Sequence, residues 1–452
     1  MARIIPGVQV SVVKEVVPPQ LAPSGVLGIV GFTENFPENP QVSGRASSWA
    51  HFIETFGAST AHSIPEARQA LENGVYQLVV APISEQAGAH ATVKVKGGNN
   101  SSTNAFTLTA KVPGAWANVY SIEITKKDPK AAQFDLVIYG GDKREIERHR
   151  RLDKESVEET INKNSTVVNV SDVSAAASLV KLDIYSLSSG KDATPTQFSD
   201  ALNALQNEPD VDMVIASISD FSDKSAVTKI YSKVISHCER MSTDSKGRIG
   251  FGQALPQGSV ADQTEMVEAL FSDRFVMTAP HGVAGAVAGR VGSLSYFKSP
   301  TFKTLSGLGV LKQAIGVDDQ RTYLKNNIVP IVTQRGQGTI VVRGLTTDGD
   351  QISVRRVADR SVRGMKMLGD LFIGRLNNED GRNALKQKLI EFLVQMEKEG
   401  AIVPKTDGSD PAFKVDVYSS QADFAQGIVR VDMAVRPVRA IDFIYATILV
   451  QV

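Results

Sequence analysis

Three short apolar runs, Asp210–Ser217 (DVDMVIAS), Arg248–Ala254 (RIGFGQA) and Arg274–Ala279 (RFVMTA), are separated by stretches of helical periodicity. A strand apolar on both of its faces needs cover on both sides of its sheet, which parallel strands with crossover helices provide. Pro195–Asn207, Ser222–Arg240 and Ser259–Ser272 are the matching amphipathic helices. Alternation of this kind predicts an α/β protein with a doubly wound parallel sheet. Upstream, Gly25–Phe32 (GVLGIVGF) and Gly74–Ala81 (GVYQLVVA) read as two more buried strands. Between them lie helices at Trp49–Phe56, closed by Gly57, and at Ile64–Asn73, with Pro65 in its first turn.

The text changes near Pro82. Ala91–Lys96, Ala105–Ala110, Tyr120–Ile124 and Phe134–Tyr139 alternate as strands, divided by polar turns such as Gly97–Asn100 and Gly140–Asp142. This predicts a β-rich insertion. Lys143–Arg151 (KREIERHRR) is a charge run interrupted by Glu145 and Glu147, so it reads as a solvated strand or helix face rather than a phosphate site.

Towards the end, Leu324–Val332, a turn at Arg335–Gly338 and Thr339–Leu345 precede an Arg-rich helix, Val354–Phe372. Gly381–Glu399 is a long amphipathic helix with Leu385, Leu389, Phe392, Leu393 and Met396 inward, capped by Gly400. Ala412–Tyr418 and Gly427–Val435 read as strands. After Pro437, Ile441–Val452 alternates Ile444, Ala446, Ile448 and Val450 with a second, nearly as apolar face. At the other end, Arg3–Val17 alternates Val8, Val10 and Val12 before Pro18–Pro19, without the pattern of a signal peptide. Such terminal strands either tuck into their own sheet or are donated to a neighbour's.

Composition and motifs exclude several functions. Lys+Arg and Asp+Glu balance at 49 each, so no basic footprint points to nucleic acid. No apolar run approaches the roughly 18 residues of a membrane span, so no direct membrane insertion is expected. The single cysteine, Cys238, allows no internal disulfide and fits a chain made in a reducing cytoplasm. The glycines at 282, 285, 289 and 292 lack P-loop or dinucleotide spacing and fall along one helix face, which suits close helix packing. The six histidines show no metal-ligand spacing, and His237 and Cys238 are adjacent on a helix, a poor base–nucleophile pair. Asp220 and Asp223 follow a parallel strand but are explained by helix capping. No catalytic, metal or cofactor site is expected.

The segments, in order, resemble the contractile tail sheath family of contractile phages, R-type pyocins and extracellular contractile injection systems. Pro6–Val10 resembles the family's opening PGVYV, and Pro113–Asn118 (PGAWAN) its PGxWGN. Gly285–Gly289 with Ser299-Pro300, Leu324–Ile328, Gly336–Arg343 and Val354-Arg355-Arg356 resemble its central motifs, and Ala434–Ile441 its terminal arm. The chain departs from it at Val342–Thr347 and at Ser299-Pro300-Thr301.

The resemblance implies a subtilisin-like, non-catalytic core at 25–90 and 174–345 with an inserted outer domain at 91–173. It implies an inner domain at 346–435 facing a tube, and extended strand arms at 1–24 and 436–452. Subunits would form a helical homo-oligomer of hexameric rings around an inner tail tube protein, with baseplate and tail terminator or cap proteins as further partners. The arms would complete sheets in neighbouring subunits, and contraction would drive the tube through an envelope. Arg382, Lys386, Lys388 and Glu391 are the candidates for tube contact. A domain-swapped scaffold of fixed size is the alternative, and an α/β hydrolase a more distant one.

Overall fold

In the computed structural model, residues 21, 23–36, 44–98, 103–126, 133–174 and 180–445 are described. Among them the strands form four sheets, of eight, four, three and two strands. The largest runs, edge to edge, Gly338–Val341, Ile328–Gln334, Phe275–Ala279, Ile249–Gln253, Met213–Ala216, Val26–Gly31, Gln77–Pro82 and Gly44–Ala46. Its six inner strands are parallel, and each edge strand is antiparallel to its neighbour.

Alternation along these strands divides the core in two. Val26, Val30, Val79 and Ala81 pack on one side with Phe198, Ile230, Val234 and Met266 of the helices Pro195–Ala204, Lys224–Thr243 and Val260–Glu268. Leu27, Ile29, Leu78 and Val80 pack on the other with Phe52, Ala67 and Val287 of Trp49–Phe56, Pro65–Glu72 and Ala284–Ser293. Helices therefore cover both faces, as the doubly apolar strands require. Local signals set the helix starts. Thr194 and Ser259 close capping boxes, and Asp223 accepts from Ser225 N and Ala226 N. Asp220 accepts from Ser222 N in the turn before it, at 2.9 Å, so both aspartates serve the helix entry.

The β-rich stretch contains the expected strands and several that the sequence did not reveal. Ile184–Ser186, Ser121–Thr125, Phe134–Tyr139 and Glu145–Leu152 form the four-stranded sheet; Thr92–Lys96, Asn104–Ala110 and Val168–Ser171 form the three-stranded one. Phe106 and Phe134, one from each sheet, stack at 6.1 Å. The charge run is the edge strand Glu145–Leu152, where Arg148 pairs with Glu145; charges on an edge discourage unwanted strand pairing. The PGAWAN stretch joins this region to the body. Asn118 exchanges two hydrogen bonds with the backbone of Gly190, each 2.9 Å, and Trp116 stacks on His62 at 5.5 Å. Asp192 receives Ala115 N, Ser219 N and Asp220 N, tying the same joint to the end of the Met213–Ala216 strand.

Gly285, Gly289 and Gly292 lie in the Ala284–Ser293 helix, while Gly282 precedes it with φ +87°. A Cβ on Gly285 would stand 2.6 Å from Glu66 Cα, and one on Gly289 2.7 Å from Ala70 Cα. Both obstacles are backbone of the Pro65–Glu72 helix and cannot step aside. The Gly289→Ala substitution should force the helices apart and cost about 1–3 kcal/mol. An unchanged urea-unfolding midpoint would show that this contact does not hold the pair.

Candidate assembly interface

The carboxyl ends of the parallel strands, where α/β sheets keep their chemistry, are filled with packing contacts. Ser217 Oγ lies 2.7 Å from Glu66 Oε2 and 3.0 Å from Ser63 O, and Ser217 is only 6% exposed. Burial pushes the Glu66 carboxyl above the usual carboxylate range, which suits a neutral group bridging helix and sheet. Burial together with Arg248 and Arg240 holds His237 down near 3, and burial pushes the Cys238 thiol up to about 12. His237 accepts from Arg248 Nη1 at 2.7 Å. Neither residue is poised for nucleophilic chemistry. Among the described residues no group of His, Cys, Asp or Glu could hold a metal ion, and no helix is long and apolar enough to cross a membrane.

The unfinished part of the molecule is elsewhere. Phe413–Tyr418 and Arg430–Val435 pair antiparallel over their full length, from Phe413 opposite Val435 to Tyr418 opposite Arg430. Phe413, Val415, Val417, Val431, Met433 and Val435 turn towards Leu385, Leu389, Leu393 and Met396 of the helix Glu379–Lys398. These six side chains remain only half-buried, because two strands are too narrow to cover the helix. Among the described residues neither outer edge of the hairpin pairs with another strand. Its connection is fixed by Asp423, which takes Arg430 through two bonds of 3.0 and 2.8 Å. Arg430 and the Ser420 hydroxyl hold the Asp423 carboxyl down to about 2.

The chain after the hairpin stays extended. Pro437 bridges to Ile402, and Val438 N donates to Ala401 O at 3.0 Å. Ile441, Phe443, Ile444 and Tyr445 are largely in solvent. Of the arm residues read from the sequence, Ile444 is therefore exposed. Val8, Val10, Val12, Ala446, Ile448 and Val450 lie outside the described residues. The four tube-contact candidates do not share one surface. Arg382 bonds back to Asn377, and Lys386 reaches Asp416 on the hairpin at 3.1 Å. Lys388 and Glu391 pair with each other at 2.8 Å on the solvent side of the same helix.

The Arg-rich helix, Ile352–Asp370, fastens this region to the body. Asp359 receives Arg274 Nη1 and Nη2, both at 3.1 Å, and Arg355 Nη2 at 3.0 Å. Arg355 Nη1 also reaches Asp273 at 2.7 Å. Arg356 Nη1 donates to Val291 O at 2.8 Å, at the carboxyl end of the Ala284–Ser293 helix, where carbonyls lack partners. Arg363 donates to Pro209 O, Val211 O and Gly247 O. On the hairpin side, Phe392 packs on Gly364, where a Cβ has no room. These roles were missed in the sequence, although a signal exists. Ile352, Arg356, Asp359 and Arg363 follow helical spacing, so charges occupy positions of the core-facing stripe.

The Arg274 and Asp359 side chains are 9% and 10% exposed, so removing one leaves the other charged and buried. Asp359→Ala should destabilise the chain by about 3–5 kcal/mol. A loss below about 1 kcal/mol, the scale of an exposed pair, would mean that the clamp is not built from this charge.

Residues 346–451 match the family model described as the phage tail sheath C-terminal domain. No curated protein matches in sequence. Among solved structures, the contracted helical sheath of the anti-feeding prophage aligns over 99% of this chain and 99% of its own, with 14% identity and a TM-score of 0.59. The contracted sheath complex of PVC, an extracellular contractile injection system, aligns over 99% and 98% at 13% identity with a TM-score of 0.56. The sheath tail protein of Listeria innocua aligns over 93% of each chain at 16% identity with a TM-score of 0.54. At such identities the likeness is one of fold. The resemblance read from the sequence is borne out: residues 346–451 match the family model of the phage tail sheath C-terminal domain, and the chain has the fold of contractile sheath proteins.

Proposed function

We propose that the chain is the structural, non-catalytic subunit of a contractile sheath, stacking as hexameric rings around an inner tube and contracting to drive that tube through a target envelope. The observation that carries this reading is the hairpin Phe413–Tyr418/Arg430–Val435, whose edges pair with no other strand among the described residues and which lies beside an exposed apolar stretch, 441–445. Strands from neighbouring subunits would complete it. The C-terminal arm (Ile444, Ala446, Ile448, Val450) and the N-terminal arm (Val8, Val10, Val12) have the alternation this needs. A contact between unlike surfaces that does not close on itself generates an open helical array.

In this reading the doubly covered eight-stranded sheet supports a subtilisin-like body, with the β-rich insertion outward and the C-terminal domain inward. Lys388 and Glu391, on the solvent side of their helix, support a tube-facing surface more directly than Arg382 and Lys386, which are engaged within the subunit. The partners are further copies of the chain, an inner tube protein, and baseplate and terminator proteins at the ends. Assembly would occur in the bacterial cytoplasm. Backbone hydrogen bonds along the arms would let the bodies rotate as rigid units while staying linked. Contraction without a nucleotide requires that the extended array be kinetically trapped at higher energy.

Electron microscopy of the purified full chain beside a truncation ending at Val438 tests the reading. The full chain should give open-ended hollow tubes and the truncation only small oligomers. A full chain that stays a closed oligomer of fixed size at high concentration would favour a domain-swapped scaffold instead.

A further inference from the structure

We propose that Asp442 is the positioning residue that fixes where the C-terminal arm leaves the molecule, and that it ties the arm to the eight-stranded sheet of the body rather than to the neighbouring hairpin. Asp442 is a buried carboxylate within an exposed run. Its side chain is 7% exposed, while Ile441, Phe443, Ile444 and Tyr445 are 78%, 65%, 84% and 94% exposed. A carboxylate taken out of water needs donors, and those given to Asp442 come from the end of the body's edge strand and from the start of the clamp helix. Arg343 Nε and Gln351 Nε2 both donate to Asp442 Oδ2 at 2.9 Å. The Arg343 guanidinium also lies 5.3 Å over the Phe443 ring.

The residues just before Asp442 are held by the same loop. Gln351 is bonded in both directions to the backbone of Ala440, at 2.9 and 3.1 Å, and Arg439 reaches Asp350 at 2.7 Å. Arg343 lies two residues beyond the edge strand Gly338–Val341, and Gln351 is the N-cap of the clamp helix Ile352–Asp370. The backbone contacts with the segment that follows the long helix are made earlier, where residues 436–438 meet 401–403. A pull on the arm would thus reach Arg343 and Gln351, and through them the sheet and the clamp, before it reached the hairpin. Ile444 and Tyr445, just beyond the anchor, present their side chains to solvent.

The anchoring stands on this geometry alone; its consequence for assembly rests on the sheath reading. The test uses the full chain with spin labels at Tyr445→Cys and at Lys229→Cys, an exposed position on the Lys224–Thr243 helix. Native Cys238 is fully buried and does not compete for label. In the dilute, unassembled protein the parent should give a narrow distance distribution, and adding Asp442→Ala should broaden it while leaving the melting temperature unchanged. Arg343→Ala, which removes the same ion pair from the other side, should broaden it equally and covers the case in which the first variant does not fold. A distribution already broad in the parent, or unaltered in both variants, overturns the anchor. Assembly is read separately by electron microscopy. If the parent forms tubes, the Asp442→Ala chain should form short or irregular ones, and equally ordered tubes would overturn the load-bearing role. A parent that forms no tubes refutes the sheath reading and leaves the anchor to the distance measurement.

Discussion

Asp359, held between Arg274 and Arg355, is the interaction on which the rest of the arrangement depends. The helix that carries it belongs to two cores at once. Ile352 is buried with the body's sheet, whereas Val357 and Leu368 are buried with the C-terminal helix and hairpin. Apolar contact alone would leave such a helix free to slide. The guanidinium groups of Arg356 and Arg363 supply direction instead, each docking on carbonyls whose positions the body has already set. Desolvating these charges costs free energy, and their return is geometric specificity more than stability.

With the C-terminal domain held in that way, its incompleteness becomes consequential. A two-stranded sheet cannot cover a helix of 20 residues, and the half-buried valines of the hairpin show where cover is missing. The exposed tail has the opposite defect, apolar residues without a sheet to join. In the reading proposed above, each copy would offer what another lacks. A sheath of the kind proposed would resolve that mismatch by backbone pairing between subunits.

Much of the fold was legible because its signals are local. The doubly apolar strands, the capping aspartate before Lys224–Thr243 and the glycine spacing at 285, 289 and 292 all follow from short-range chemistry. The elements missed have mixed patterns. Glu145–Leu152 is an edge strand without an apolar face, Ile184–Ser186 is three residues long, and Val317–Lys325 has Tyr323 as its one buried residue. The hairpin's alternation was readable, but not that its edges pair with no other strand among the described residues, which depends on the whole fold. The Arg274–Asp359 and Arg343–Asp442 pairs join residues 85 and 99 positions apart. No local pattern announces such a pairing, although charges on the buried stripe of the clamp helix were visible in the sequence.

The most direct measurement is a helical reconstruction, by electron cryo-microscopy, of tubes assembled from the full chain. The hairpin sheet should be wider than two strands, with the added strands contributed by the terminal segments of other copies. A hairpin that remains two-stranded in the assembled tube, with the termini folded against their own subunit, would contradict the account.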